Sequence, residues 1–106
     1  MLNMFYVLKD QQPIACKSAQ DFSEQYFLSN PFLKIDKTDR HTVSTIFLGI
    51  DLRRKDELRP VLFETLVTTD SLENKIELDR YSTWEEAMSG HELLLDKYAN
   101  LHDLAN

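Results

Sequence analysis

Arg80-Tyr81-Ser82-Thr83-Trp84-Glu85-Glu86-Ala87-Met88-Ser89-Gly90-His91 is the stretch that decides how this 106-residue chain is built. Thr83 with Glu86 three residues on has the form of a capping box, in which hydroxyl and carboxylate satisfy each other's backbone N–H groups at a helix start. Ser82 with Glu85 offers the same pairing, so the first helical residue falls close to Trp84. Downstream, Trp84, Ala87, Met88, His91, Leu94, Leu95, Tyr98 and Leu101 recur at spacings of three and four. That spacing predicts a helix with one broad apolar stripe, and it turns Glu85, Glu86, Glu92 and Asp96 outward. Gly90 in its middle costs about 1 kcal/mol relative to Ala, which predicts a close approach between helix and sheet. The tail is expected to fray from about residue 102.

Upstream, residues 42–50 read as the most regular strand, with Val43, Thr45 and Phe47 on one face and Ser44, Ile46, Leu48 and Ile50 on the other. Apolar groups on both faces predict a central strand with something covering each side. Gly49 fits a bend near its end. A charged connection follows over residues 52–59, and Pro60 stands where a strand can start. Residues 61–68 form the next strand, antiparallel to the first; Asp70 to Asn74 turns the chain into a shorter strand over 75–78. Nearer the beginning, Phe5-Tyr6-Val7-Leu8 and Ile14-Ala15-Cys16 read as short strands around the turn residues Asp10-Gln11-Gln12-Pro13. Ser18 caps a short helix that carries Phe22 and Tyr26 on one face and stops at Pro31. Residues 32–36 read as an edge strand and 36–39 as a polar turn. The expected fold is α+β: an antiparallel sheet of four to six strands with two helices, the long C-terminal one packed across it. Hairpin-then-helix occurs twice, over 4–28 and 61–101, either as a degenerate ββα duplication or as two instances of a common local unit.

The length sets a single domain with one modest core. Cys16 is the only cysteine, which excludes an internal disulfide and a thiolate metal cluster. Met1 to Lys9 lacks the basic start and long apolar run of a signal peptide, and no run approaches the roughly 18 apolar residues of a membrane span. A soluble cytoplasmic protein without a membrane partner is therefore expected. With Gly49 and Gly90 as the only glycines, no phosphate-cradling loop can form, and no cofactor is expected. Residues 1–69 hold nine acids and nine bases, so the net charge of −6 falls entirely in the last third. Direct nucleic-acid binding is disfavoured there, because like charge repels phosphate. An acidic helix face can aid solubility, meet a basic partner or imitate a phosphate backbone.

Two polar residues stand out against apolar surroundings. His91 lies on the helix stripe, and Glu64 alternates with Leu62 and Leu66, where an unpaired carboxylate is costly to desolvate. Arg80 and His91 are its natural partners, so Glu64, Arg80 and His91 form the candidate polar cluster. Read chemically, His91 with Glu64 or Asp79, and His41 as a further member, is an acid–base or metal-ligand pair. Read structurally, it is a satisfied buried histidine whose contact pins strand to helix. No HExxH, HxH or CxxC spacing accompanies it, and no GxSxG elbow surrounds Ser44 or Thr45, so no catalytic, cofactor-binding or metal-ligating residue is assigned. Trp84 reads as a core anchor and Cys16 as a small hydrophobe. Arg53-Arg54-Lys55 with Arg59 is interleaved with Asp51, Asp56 and Glu57, the pattern of a solvated loop.

Three blocks in order, Val43-Ser44-Thr45-Ile46-Phe47-Leu48-Gly49-Ile50-Asp51, Leu62-Phe63-Glu64-Thr65-Leu66-Val67, and Arg80 to Ala87 with Gly90-His91, resemble a family of small uncharacterised proteins found in phages, prophages and bacterial genomes. Members commonly have a shorter loop after the first block, often with a histidine following its aspartate; this chain has Leu52 and a longer charged loop. The resemblance brings no activity and implies a phage-associated accessory protein. The expected function is non-catalytic interaction with a host or defence protein, through the acidic helix (Glu85, Glu86, Glu92, Asp96) or a sheet face. If both helices share one side, the other exposes apolar groups suited to a protein partner or a homodimer. The alternatives are a small hydrolase or metal-dependent enzyme using Glu64 and His91, and an acidic DNA-mimic inhibitor.

Overall fold

The computed structural model describes residues 4–69, 71 and 74–104, with side chains as far as Asn100. Six strands and two helices follow in order: β1 (Tyr6–Lys9), β2 (Gln12–Ala15), α1 (Ala19–Phe27), β3 (Phe32–Lys37), β4 (His41–Phe47), β5 (Phe63–Thr69), β6 (Lys75–Tyr81) and α2 (Trp84–Leu104). The architecture is α+β. Strands β3 to β6 form one antiparallel sheet in sequence order, while β1 and β2 form a separate hairpin. A bridge between Phe5 and Ile50 joins hairpin to sheet, where Tyr6 N–H donates to the Gly49 carbonyl at 2.8 Å and Asp51 N–H to that of Met4 at 2.9 Å. Both expected hairpin-then-helix units exist, but only the second hairpin lies within the main sheet. No helix among the described residues is long and apolar enough to cross a membrane.

The first hairpin turns on Asp10 and Gln11 alone, both with left-handed φ (51° and 69°). That is the backbone of a two-residue type I′ turn, whose twist matches the flanking strands. The turn is thus shorter than the expected residues 10–13, and Pro13 pairs with Leu8 inside β2. Ser18 Oγ accepts from Asp21 N–H at 3.1 Å to start α1. Phe22 and Tyr26 of α1 pack over Gly49, whose φ is +75° and where a Cβ would lie 2.7 Å from Phe22.

In the main sheet Val43, Thr45 and Phe47 stand in register with Val67, Thr65 and Phe63. All six are buried, and α2 lies across them: Leu94 and Tyr98 on Val43 and Val67, Ala87 with Phe47, Leu62 and Phe63. Tyr6, Leu8, Tyr26 and Leu33 join the second cluster, so the hairpin and α1 close the same side. Strand β4 is central, as expected, but among the described residues it is covered by helix on one face only. Its other face, with Ser44 and Ile46, continues through Glu64 and Leu66 to Ile35, Phe32 and Leu78 in register, and Ile76 alternates onto it from β6. Phe32, Ile35 and Ile76 are 50%, 53% and 46% exposed there.

The start of α2 is the expected capping box. Thr83 Oγ1 accepts from Glu86 N–H at 3.1 Å, and Glu86 Oε1 accepts from the N–H groups of Thr83 (3.1 Å) and Ser82 (3.2 Å). Gly90 meets Tyr81 of β6, where a Cβ would lie 2.2–2.3 Å from the phenol. The predicted close approach is therefore present. The helix backbone runs to Leu104, past the expected start of fraying, while the Leu101 side chain and most of the Asp70 to Asn74 turn lie outside the described residues. Strand β5 begins at Phe63, later than expected, because Pro60 and Val61 belong to a loop tied down by Asp51. Asp51 Oδ1 accepts from Arg53 N–H and Val61 N–H at 3.0 Å, and Oδ2 from Arg53 Nε at 2.8 Å. Burial pushes the Asp51 carboxyl up, but these donors together outweigh it and hold it below the ordinary range.

Candidate functional site

His91 is fully buried between α2 and the sheet. Its Nε2 lies 2.8 Å from Asp36 Oδ2 at the end of β3, and its Nδ1 lies 2.7 Å from Thr45 Oγ1 on β4. Thr45 Oγ1 in turn lies 2.5 Å from Thr65 Oγ1 on β5. In the tautomer whose Nε2–H faces the Asp36 carboxylate, Nδ1 accepts from the Thr45 hydroxyl. Thr45 then accepts from Thr65, and the donors all point one way. At the far end lies Tyr81, its buried hydroxyl without a well-formed hydrogen bond. Burial pushes the Tyr81 phenol up. One polar thread thus links β3, β4 and β5 through His91.

The order carboxylate, imidazole, hydroxyl is that of a nucleophilic triad, but Thr45 and His91 are both 0% exposed. A nucleophile needs room for a carbonyl beside its oxygen, and here the neighbouring volume is Val43, Phe47 and Thr65. The geometry is suited to fixing register: each hydroxyl and ring nitrogen has its partner only when β3, β4, β5 and α2 are aligned as they are.

The sheet separates the expected polar cluster. Glu64 and Arg80 do meet, Arg80 Nε donating to Glu64 Oε1 at 3.1 Å, but on the bare face. His91 is on the other side and takes Asp36 instead, so the anticipated His91–Glu64 contact is absent. Asp79 is exposed on the outer strand and accepts from the N–H of Arg80, not from His91. The His41 ring packs tilted against Tyr98, with centroids 4.8 Å apart. Asp36, Thr45 and Thr65 escaped the sequence reading as a set. The available signal was a mirror pattern, Val43-Ser44-Thr45-Ile46-Phe47 against Phe63-Glu64-Thr65-Leu66-Val67, which antiparallel pairing turns into facing threonines.

Asp36, His91 and Glu92 each offer one ligand atom, all within 4.8 Å of one another, a donor set able to hold a divalent cation. Lys34 Nζ already donates to Glu92 there, and this hydrogen bond holds the lysine's pKa above its ordinary value. Of the acidic helix face, Glu92 is therefore engaged, and Glu86 bonds Arg59 Nη2 at 2.9 Å, which holds its carboxyl low. Glu85 and Asp96 are exposed. The arginine-rich loop is neutralised in the same manner, Arg53 by Asp51 and Arg54 by Glu57.

An open groove of about 1020 Å³ runs between this loop, β6 and α2. Tyr81 and Gly90 line it, with Leu52, Leu58 and Leu93 alongside. Leu58 and Leu93 are 93% and 71% exposed. No family model matches this chain, and neither a curated protein nor a solved structure matches it significantly.

Proposed function

We propose that this chain is a non-catalytic interaction protein whose groove beside β6 takes up an extended, largely uncharged segment of a protein partner. The observation that carries this reading is the groove's apolar rim, where Leu58, Leu93 and Leu52 gather at one concave surface. Single exposed leucines are ordinary, whereas several around one groove mark a contact surface. The charges that line it sum to zero, Arg54 paired with Glu57, Arg59 with Glu86, and Asp79 next to Arg80, so a charged ligand gains little there. Among the described residues β6 pairs with β5 alone, which leaves its outer backbone groups for an added strand.

The resemblance to phage- and prophage-associated proteins makes a host or defence protein in the host cytoplasm the partner class of this proposal. A second copy of the chain is another protein partner within it. An enzymatic role would rest on the Asp36–His91–Thr45 order, which is sealed, and a DNA mimic on Glu85 and Asp96 once Glu86 and Glu92 are engaged. Affinity capture from host lysate with mass spectrometry tests the reading. A partner retained by the wild-type chain and lost on L58D/L93D, with circular dichroism unchanged, is the expected result. Binding that survives L58D/L93D but disappears on E85Q/D96N would transfer the function to the acidic helix face and overturn the groove.

A further inference from the structure

The sheet face opposite α2 is a second surface, which borders the groove at Leu78 and Arg80 of β6. Its middle row runs Ile35, Ser44, Leu66, Leu78 across β3 to β6, and the next runs Phe32, Ile46, Glu64, Arg80. The charges in these two rows are Glu64 and Arg80, which neutralise each other; Lys37 and Lys75 flank the far end, opposite Thr42 and Thr68. No described helix packs on this face, and its three most exposed apolar residues are each about half in water.

We propose that this face is the interface of a homodimer in which two copies stack sheet on sheet with their α2 helices outermost. The inference rests on the reading that the chain works through protein contacts, but on a different surface. Size is the first argument. Strands of seven residues at roughly 3.3 Å each, four abreast at about 4.8 Å, cover about 440 Å² in projection, and side-chain relief brings that to about 600 Å² per copy. Two copies then bury about 1,200 Å², the lower limit of specific interfaces. Charge is the second argument. Self-association of a chain carrying −6 is opposed by repulsion, yet the acidic groups Glu85, Glu86, Glu92 and Asp96 lie on the helical side. Stacked sheets about 10 Å apart, each with a helix layer about 10 Å beyond, put the two acidic surfaces roughly 30 Å apart, well past the screening length of about 8 Å. What meets at the centre is apolar at Phe32, Ile35, Ile46, Leu66 and Leu78 and carries only Ser44 and the paired Glu64 and Arg80 besides, and aligned sheet packing is a standard solution for two such faces.

Sedimentation equilibrium of the full chain from about 1 to 200 µM reads the outcome. The wild-type mass is expected to rise from 12.4 kDa toward twice that value, and F32K/I35K, both outside the groove, to raise the dissociation constant by about 100-fold or more with an unchanged circular dichroism spectrum. A spin label on S44C in a C16A background, at the middle of the face, gives a second readout that spares the large apolar residues. Label-to-label coupling within roughly 20 Å is expected from sheets about 10 Å apart. A wild-type chain that stays monomeric throughout, a dimer indifferent to F32K/I35K, or uncoupled labels each overturn the proposal. None of these results affects capture through Leu58 and Leu93, so the two readings fail separately.

Discussion

Replacing Gly90 with alanine inverts an ordinary rule of helix stability. In a helix interior the change normally stabilises by about 1 kcal/mol, because glycine loses more backbone freedom on folding. Here the new Cβ would lie 2.2 Å from Tyr81 Oη and 2.3 Å from two ring carbons. Contacts more than 1 Å inside normal separation place the strain near the top of the overpacking range, about 3 kcal/mol. The net effect is therefore a loss of about 2 kcal/mol, which in a domain of this size lowers Tm by roughly 10 °C. Urea and thermal denaturation of G90A measure it. Removing the obstacle reverses the sign: in a Y81A background, G90A should stabilise by about 0.5–1 kcal/mol relative to Y81A alone. A G90A chain as stable as wild type, or an identical effect in both backgrounds, would refute the claim that Gly90 exists to admit Tyr81.

Three further outcomes follow from the same structure. H91A should cost about 3 kcal/mol in urea unfolding, since it opens a cavity and strands the Thr45 hydroxyl, whereas D36N, which keeps an acceptor for Nε2–H, should cost under about 1 kcal/mol. Q11G should raise stability by about 0.5–1 kcal/mol, because Gln11 holds a left-handed φ that glycine adopts freely; a loss would disprove the turn assignment. Tyr98 is pushed up to about 12, first by burial and then by its 2.6 Å hydrogen bond to Glu77. A raised folded value favours the protonated phenol in the native state, so this contribution is complete below the unfolded value near 10 and is lost as pH rises to about 12. Ultraviolet titration should show the latest-ionising tyrosine of the wild type ionising earlier in E77Q, while burial keeps it above the ordinary range.

The last helix was readable because its signals are local. A capping box, a spacing of three and four, and one ill-fitting glycine lie within a dozen residues, and each maps onto an observed contact. The partner of His91 was not readable, because it depends on which strand face meets the helix and on the register of β3, both set by long-range pairing. Glu64 looked anomalous between leucines, yet with β5 starting at Phe63 its side chain turns to the bare face and finds Arg80. Asp36 looked like the start of a polar turn, and only the irregular register between Phe32 and Lys34 lets the residues after it reach α2. The split into two sheets was equally hidden, since the hairpin's attachment depends on backbone bonds around Gly49 that no side-chain pattern records.

Asp51 has a consequence for how such a chain can diversify. Both ends of the loop from Leu52 to Pro60 are fastened to the same carboxylate oxygen, so the segment between them hangs from a closed ring. Residues can be added, removed or exchanged inside that ring without transmitting strain to β4 or β5. The loop is thereby an interchangeable cassette on a fixed frame. It also carries Leu58 and Arg59, which make one wall of the groove, so under the proposed function partner preference is set there, apart from the buried thread through His91.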